Sequence, residues 1–185
     1  PMSDTPAIDP SPWLEVFEPV PPAFQELPLT GYQPLALIGE GGMGAVLLAQ
    51  RETDEQLVTI KVLTNADADQ NVTKRLEREA LTLRSLQHPN IVACLAYLRD
   101  ANRCFLIMEF VPGRLSLRYA GGMLGPCPET LALRLLAETT AGLAHAHDHG
   151  VIHRDVTPDN LLLFFNHPEP PDTWAQLAQA PELRV

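Results

Sequence analysis

No lysine or arginine occurs among the first 50 residues, although six carboxylates do: Asp4, Asp9, Glu15, Glu18, Glu26 and Glu40. The whole chain sets 13 Lys and Arg against 23 Asp and Glu, a net charge of −10. A phosphate backbone calls for a basic surface, so this balance excludes a general nucleic-acid binder. Cysteine is scarce as well. Cys94, Cys104 and Cys127 show no CxxC spacing, which excludes a zinc ribbon or a disulfide frame and reads as reduced thiols in a cytosolic domain. No run of 18 apolar residues is present, and no basic-then-apolar stretch opens the chain. These residues are therefore expected to be soluble, without a membrane segment and cytoplasmic, though a longer parent chain has room for an anchor beyond residue 185. The chain opens on Pro1 rather than Met, which points to a fragment or a processed product.

What is present is ordinary for a globular protein: 185 residues, 45% apolar and 19% charged. That is enough for one domain with a sizeable core, or for part of a larger one. Residues 1–30 hold eight of the 18 prolines. Proline fixes φ and removes a donor, so the stretch is predicted to be a mostly disordered acidic leader. The alternative is a short docking segment built on Trp13, Leu14, Val16, Phe17 and Phe24.

From Tyr32 the character changes. Leu35–Ile38 reads as a strand, Gly39-Glu-Gly-Gly-Met-Gly44 as a turn, and Ala45–Ala49 as a second strand. The glycines Gly39, Gly41 and Gly44 fall as GxGxxG. Glycine lets backbone N–H groups approach a phosphate without a side chain in the way. A dinucleotide-binding version needs a helix straight after the glycines, whereas here a β-branched, apolar run leads into the turn Arg51–Glu55. The pattern is that of a hairpin. Leu57–Leu63 is a third strand with one charge, Lys61, set among apolar residues. Such a Lys either points to solvent from an edge or finds an anion. Val72, Leu76, Ala80, Leu83 and Leu86 recur at helical steps and predict a helix over 71–86, ended by Gln87-His-Pro-Asn90. Glu79, on that helix, either pairs with Arg75 in solvent or reaches Lys61. Strands over 91–98 and 103–110 follow, joined by the polar turn Arg99–Asn102.

Val111-Pro-Gly113 breaks the strand pattern, and mainly helix follows. Pro128–His149 is predicted as a long helix whose apolar face is Leu131, Leu135, Leu136, Thr139, Gly142, Leu143 and Ala146, with Gly150 as its stop. His145, His147, His149 and His153 cluster near its end; without HExxH or a Cys partner they read as C-terminal residues meeting the helix dipole. Val151–Leu163 carries His153, Arg154, Asp155 and Asn160 between two apolar runs. An Asp there can take a proton, and an Asn carbonyl oxygen can face a hard cation such as Mg²⁺. A proline-rich stretch over 164–172, a short helix over 173–180 and the beginning of a strand over 182–185 complete the chain.

In order and spacing these segments resemble the eukaryotic-type protein kinases, in the serine/threonine form found in bacteria, over about Tyr32 to Leu163. The resemblance implies an α+β fold. An antiparallel five-stranded N-lobe with one helix would span 31–110, after the leader 1–30. A hinge and an incomplete, mainly helical C-lobe would span 111–185. It implies ATP and Mg²⁺ as cofactors and a protein substrate that the residues do not identify. Ile38, Gly39, Gly41, Gly42, Gly44 and Val46 resemble the loop over ATP. Lys61 matches the lysine that binds the α- and β-phosphates, and Glu79 the glutamate that holds it. Met108, Glu109 and Val111 resemble the gatekeeper and hinge residues around adenine. Asp155 matches the catalytic base and Asn160 the Mg²⁺ ligand. Arg154, beside the base, implies control by a phosphorylated activation loop.

Three departures qualify what the resemblance carries. Thr157 stands where such kinases usually place a Lys on the γ-phosphate, though some bacterial relatives also have a small hydroxyl there. Thr59 replaces a small apolar residue against adenine. No Asp-Phe-Gly follows; Glu182–Val185 resembles the strand just before it, with 166–181 as an insertion, so the piece is expected not to transfer phosphate by itself. Its C-terminal half is expected to expose apolar surface. A pseudokinase-like regulator that binds nucleotide or a partner is the second reading, favoured by Thr157 and opposed by Lys61, Glu79, Asp155 and Asn160. A small-molecule phosphotransferase of the aminoglycoside-kinase kind is opposed by Gly39–Val46, His88-Pro-Asn90 and Arg154.

Overall fold

The computed structural model describes residues 8–27, 29–41, 44–64, 80–100, 103–113, 115–178 and 183–184. Its contacts divide the chain into two compact units: residues 1–81 with 94–110, and residues 82–93 with 111–185.

The first unit is built on a five-stranded antiparallel sheet in the order β1-β2-β3-β5-β4. Its strands are β1 (Tyr32–Gly41), β2 (Gly44–Arg51), β3 (Leu57–Thr64), β4 (Cys94–Arg99) and β5 (Arg103–Glu109). Alternate residues of a strand face opposite sides. On one side Leu37, Ala45, Leu47, Ala49, Val58, Ile60, Val62, Phe105 and Ile107 form a core with Leu29. Each large aliphatic side chain buried there stabilises the unit by about 1.5–3 kcal/mol relative to exposure. β1 lies at the sheet edge, where Pro34 is tolerated because no ladder donor is needed on that side.

The leader departs from the expectation of disorder. Residues 11–14 form α1 (Ser11–Leu14) and residues 22–25 form α2 (Pro22–Gln25). Both are one-turn helices whose prolines sit at the cap or in the first turn, where a missing N–H costs nothing. Trp13 is 2% exposed and packs with Phe17, Ala36, Leu48 and Leu57 in a cluster on the second face of the sheet. Composition favours disorder here because proline dominates the count, but burial of these aromatic side chains outweighs it. The leader also covers the bare edge of β1: the Leu37 N–H donates to the Glu18 carbonyl at 2.7 Å, in an antiparallel bridge.

Between β3 and β4, residues 80–85 are helical (α3); the rest of the helix expected over 71–86, with Glu79, lies outside the described residues. β4 begins at Cys94, not at Ile91. The Asn90 N–H donates to His88 Nδ1 at 3.1 Å and the Ile91 N–H to the His88 carbonyl at 3.0 Å. This turn diverts the residues that follow away from strand pairing. Residues 82–93, placed by sequence in the first region, group with the second unit. There the Asn90 carbonyl approaches Gly142 so closely that a Cβ on Gly142 would lie 3.1 Å from it.

Among the described residues, the second unit combines a small antiparallel sheet, order β6-β7-β8, with helices. In chain order these are β6 (Leu115–Ser116), α4 (Leu117–Leu124), α5 (Glu129–Asp148), β7 (Leu162–Leu163), α6 (Trp174–Ala178) and β8 (Leu183–Arg184). α4 was not anticipated, since Gly121-Gly122 argues against helix. Its start is fixed by Ser116, whose Oγ accepts from the Tyr119 N–H at 3.2 Å. Leu131 and Leu135 of α5 pack with Leu115, Ala120, Leu163, Trp174 and Leu177. Leu136, expected on the buried face, is 59% exposed, as is Leu133. Gly113, at φ +109°, lets the chain pass Phe165: a Cβ there would lie 2.8 Å from the Phe165 carbonyl oxygen.

Candidate active site

The residues singled out by sequence fall into two groups, one in each unit. In the first, the glycine turn closes the β1–β2 hairpin. Gly41 is paired with Gly44, and Gly39 with Val46. Gly39 and Gly41 are exposed, and a Cβ on either would meet nothing within 4 Å. Among the described residues no atom fills that space, which leaves room for a ligand against the backbone. Gly44 differs. It sits at φ +120°, and a Cβ would run into the Val62 carbonyl oxygen. Gly42 lies outside the described residues.

Val46, Lys61 and Leu106 lie directly opposite one another across β2, β3 and β5. The next row on the same side is Leu48, Thr59 and Met108. Ile60 and Val62 belong to the core on the other side, so alternation puts the half-buried Lys61 on the face that carries Val46, Thr59 and Met108. Lys61 is thus neither on an edge strand nor in the main core. Ile38 is half-buried and packs against the Trp13 cluster. Glu109 pairs with Val58 at the end of β5. Val111 falls in the second unit. The expected Glu79 partner of Lys61 lies outside the described residues.

In the second unit the loop after α5 brings Asp155 and Asn160 together. The Asn160 Nδ2 amide donates to the Asp155 carboxylate at 2.9 Å and to the Asp155 carbonyl at 2.9 Å. Both amide hydrogens are thereby used, which leaves Asn160 Oδ1 as the atom able to serve a cation. The loop holds its shape through local bonds. The Asp155 N–H donates to His153 Nδ1 at 3.3 Å, and the Asn160 N–H to the Thr157 carbonyl at 3.0 Å. Arg154 adopts φ +64°, a left-handed conformation uncommon for a side-chain-bearing residue, and is exposed beside Asp155. Thr157, half-buried, supplies no charge between the two.

Two supports of this loop were missed from sequence. The Leu117 and Arg118 N–H groups, at the start of α4, donate to the Leu161 and Pro158 carbonyls at 2.8 and 3.1 Å. Arg118 also pairs with Asp159 at 2.6 Å. Both partners are exposed, so the pair adds little to stability but ties the loop to a helix. Opposite charges 41 residues apart leave no local signal; only the fold brings them together. The histidines separate: His145 stacks between His88 and His149, with ring centroids 5.1 and 4.4 Å away, while His149 Nδ1 lies 2.8 Å from the His145 carbonyl. Among the described residues, no group of three or more His, Cys, Asp or Glu is placed to hold a metal ion. A single amide oxygen near a carboxylate suits instead a hard cation shared with a phosphate ligand.

The family model of the protein kinase domain matches residues 32–169, and the chain belongs to the protein kinase family. The relatives it resembles are serine/threonine kinases. It is 35% identical over 133 residues to serine/threonine-protein kinase PrkC of Bacillus subtilis, covering 71% of this chain and 20% of that protein. It is 38% identical over 133 residues to serine/threonine-protein kinase pkn2 of Myxococcus xanthus, covering 71% and 16%. It is 32% identical over 146 residues to serine/threonine-protein kinase greatwall of Xenopus tropicalis, covering 78% and 16%. The chain thus spans a fifth or less of the length of these relatives. Among the described residues no helix is long and apolar enough to cross a membrane.

Proposed function

We propose that the protein containing these residues transfers the γ-phosphoryl group of ATP to Ser or Thr hydroxyls of other proteins. The observation that carries this reading is the double hydrogen bond from Asn160 to Asp155, which leaves a carboxylate oriented by an amide whose oxygen is available. In phosphoryl transfer a protein chiefly positions groups and neutralises charge. Asp155 orients the substrate hydroxyl and receives its proton. Asn160 Oδ1 holds the Mg²⁺, which when bound neutralises phosphate charge. The exposed Gly39–Gly41 backbone lies over the phosphates, and Lys61, with Glu79, binds the inner two. Ile38, Val46 and Met108 give adenine an apolar surface, to which Thr59 adds a hydroxyl, and the backbone of Glu109 and Val111 faces its edge. Arg154 pairs with a phosphate on an activation loop. A cytoplasmic location, where ATP is at hand, goes with this reading.

The test is transfer of label from ATP by the whole protein, with Asp155→Asn as control. Loss of a positioned base lowers the rate about 10²–10⁴-fold. An Asp155→Asn protein as active as the wild type refutes the assignment. Residues 1–185 alone contain no Asp-Phe-Gly and are expected to transfer no label. Thr157 favours a second reading, a regulator that binds nucleotide without transferring phosphate. The two separate on Thr157→Lys: an active kinase tolerates or gains from the added cation, whereas a binding module stays inactive.

A further inference from the structure

The leader packs on a particular side of the sheet. Trp13 and Phe17 do not join the main core with Leu47, Ile60 and Val62. They cover Ala36, Leu48 and Leu57, with Leu35, Ile38 and Phe110 packed around them. Leu48 lies opposite Thr59 and two residues on from Val46, so this cluster occupies the face that carries Lys61. Two aromatic contacts tie it to Phe110, just past the end of β5, and a third holds its own two rings together. Trp13 meets Phe110 edge-on with ring centroids at 5.2 Å, Phe17 meets Phe110 at 6.5 Å, and Trp13 stacks on Phe17 at 6.2 Å. Phe110 directly follows Glu109, and Ile38 directly precedes Gly39. The strap is pinned at its far end by the bond from the Leu37 N–H to the Glu18 carbonyl. Leu29, also from the leader, packs on the opposite face.

We infer that residues 8–18 form an intramolecular strap that sets the nucleotide-binding edge of the sheet, with Trp13 as its positioning residue. The inference rests on the reading of this face as the ATP site. Trp13 holds the two segments that flank the site, 36–38 and 109–110, in one arrangement. Without it that arrangement is one among several, and apparent affinity falls by the fraction of molecules that retain it. The acidic residues Asp9, Glu15 and Glu18 keep the strap's outer side in water, while its apolar side covers the sheet.

The experiment compares Trp13→Ala, Trp13→Phe and Leu29→Ala in the whole protein. ATP binding is measured by calorimetry, stability by thermal unfolding, and local order by hydrogen exchange at the Leu37 N–H. Trp13→Ala is expected to weaken ATP by about tenfold, as a fall of the competent fraction to a tenth requires. It also speeds Leu37 exchange. Trp13→Phe restores much of both. Leu29→Ala lowers the melting temperature but leaves ATP affinity and Leu37 exchange unchanged, since it removes contacts from the other face. If Trp13→Ala fails to fold, Phe17→Leu takes its place, with the same expectation in smaller measure. Slow Leu37 exchange and unchanged affinity in a folded Trp13→Ala or Phe17→Leu protein overturn the inference. Equal loss of affinity in Leu29→Ala overturns it as well, because the effect is then general destabilisation. A wild type that binds no ATP refutes the proposed function, while the exchange measurement still decides whether Trp13 orders the edge.

Discussion

Replacing the glycines of the β1–β2 turn one at a time separates two roles that the GxGxxG pattern does not distinguish. Gly44→Ala puts a Cβ into the Val62 carbonyl oxygen and onto a backbone at φ +120°. A side chain in that conformation costs about 1–3 kcal/mol. Relieving the overlap moves the backbone of β2 away from β3, at a further cost of about 1–3 kcal/mol. The sum, about 2–6 kcal/mol, corresponds to a fall in Tm of roughly 4–24 °C for a chain of this size. Gly39→Ala and Gly41→Ala meet no atom within 4 Å and need no unusual φ. Their stability is expected to stay within about 0.5 kcal/mol of the wild type. If backbone N–H groups there approach a phosphate, the added methyl instead weakens ATP by about 1.4 kcal/mol, a factor of about ten. Thermal unfolding and ATP titration on the three proteins give the answer. A Gly44→Ala protein melting within about 2 °C of the wild type refutes the packing argument. Gly39→Ala and Gly41→Ala proteins of unchanged affinity refute the phosphate-approach argument.

Asn160→Ala removes both bonds to Asp155 and the Oδ1 acceptor, so it should abolish Mg²⁺-dependent ATP binding while leaving Tm nearly unchanged at this exposed loop; a metal titration of ATP affinity checks it. Gly113→Ala, at φ +109° and against the Phe165 backbone, should destabilise the protein by about 2 kcal/mol or more, read from urea unfolding. Asp54 is hydrogen-bonded by the Arg51 guanidinium, at 2.8 Å from Nε, which holds its carboxyl below the ordinary 3.8. A depressed folded-state pKa contributes stability above the unfolded value and loses it as pH falls through the folded one. Asp54→Asn should therefore lower stability at neutral pH and make no difference once the wild-type carboxyl is protonated, as unfolding curves at neutral and strongly acid pH will show.

Much of the fold, and the residues on which the proposed site rests, stood out in the sequence because their signals are local. A glycine hairpin, a Lys flanked by apolar neighbours in a strand, and an Asp and Asn five residues apart each stand out within a few positions. The sequence left Lys61 either on a solvent-facing edge or against an anion; strand order and alternation in the structure put it on the central strand, on the face opposite Ile60 and Val62. The helical period of α5 was legible as a local signal, with Leu131, Leu135, Thr139, Gly142 and Ala146 buried. The misses are places where a pattern fits more than one outcome. Leu136 has the right spacing but is exposed, since periodicity marks a face without saying how wide a strip is covered. Residues 91–93 are apolar enough for a strand, but the hydrogen bonds at His88 turn them away from it.

The sequence by itself determined the family and the five-stranded pattern, because these rest on residue type and short spacing. Only the tertiary structure decided the fate of the leader and of the segment after Gly113. Eight prolines in residues 1–30 state a local cost to helix and sheet, and that cost is real. Offsetting it is the burial of Trp13 and Phe17 against Leu48, Leu57 and Phe110, residues up to 97 positions away. Likewise Gly121-Gly122 weakens α4, while the Ser116 cap and the burial of Ala120 against the second core hold it. Long-range burial outweighs local preference in both places, and no local window contains it.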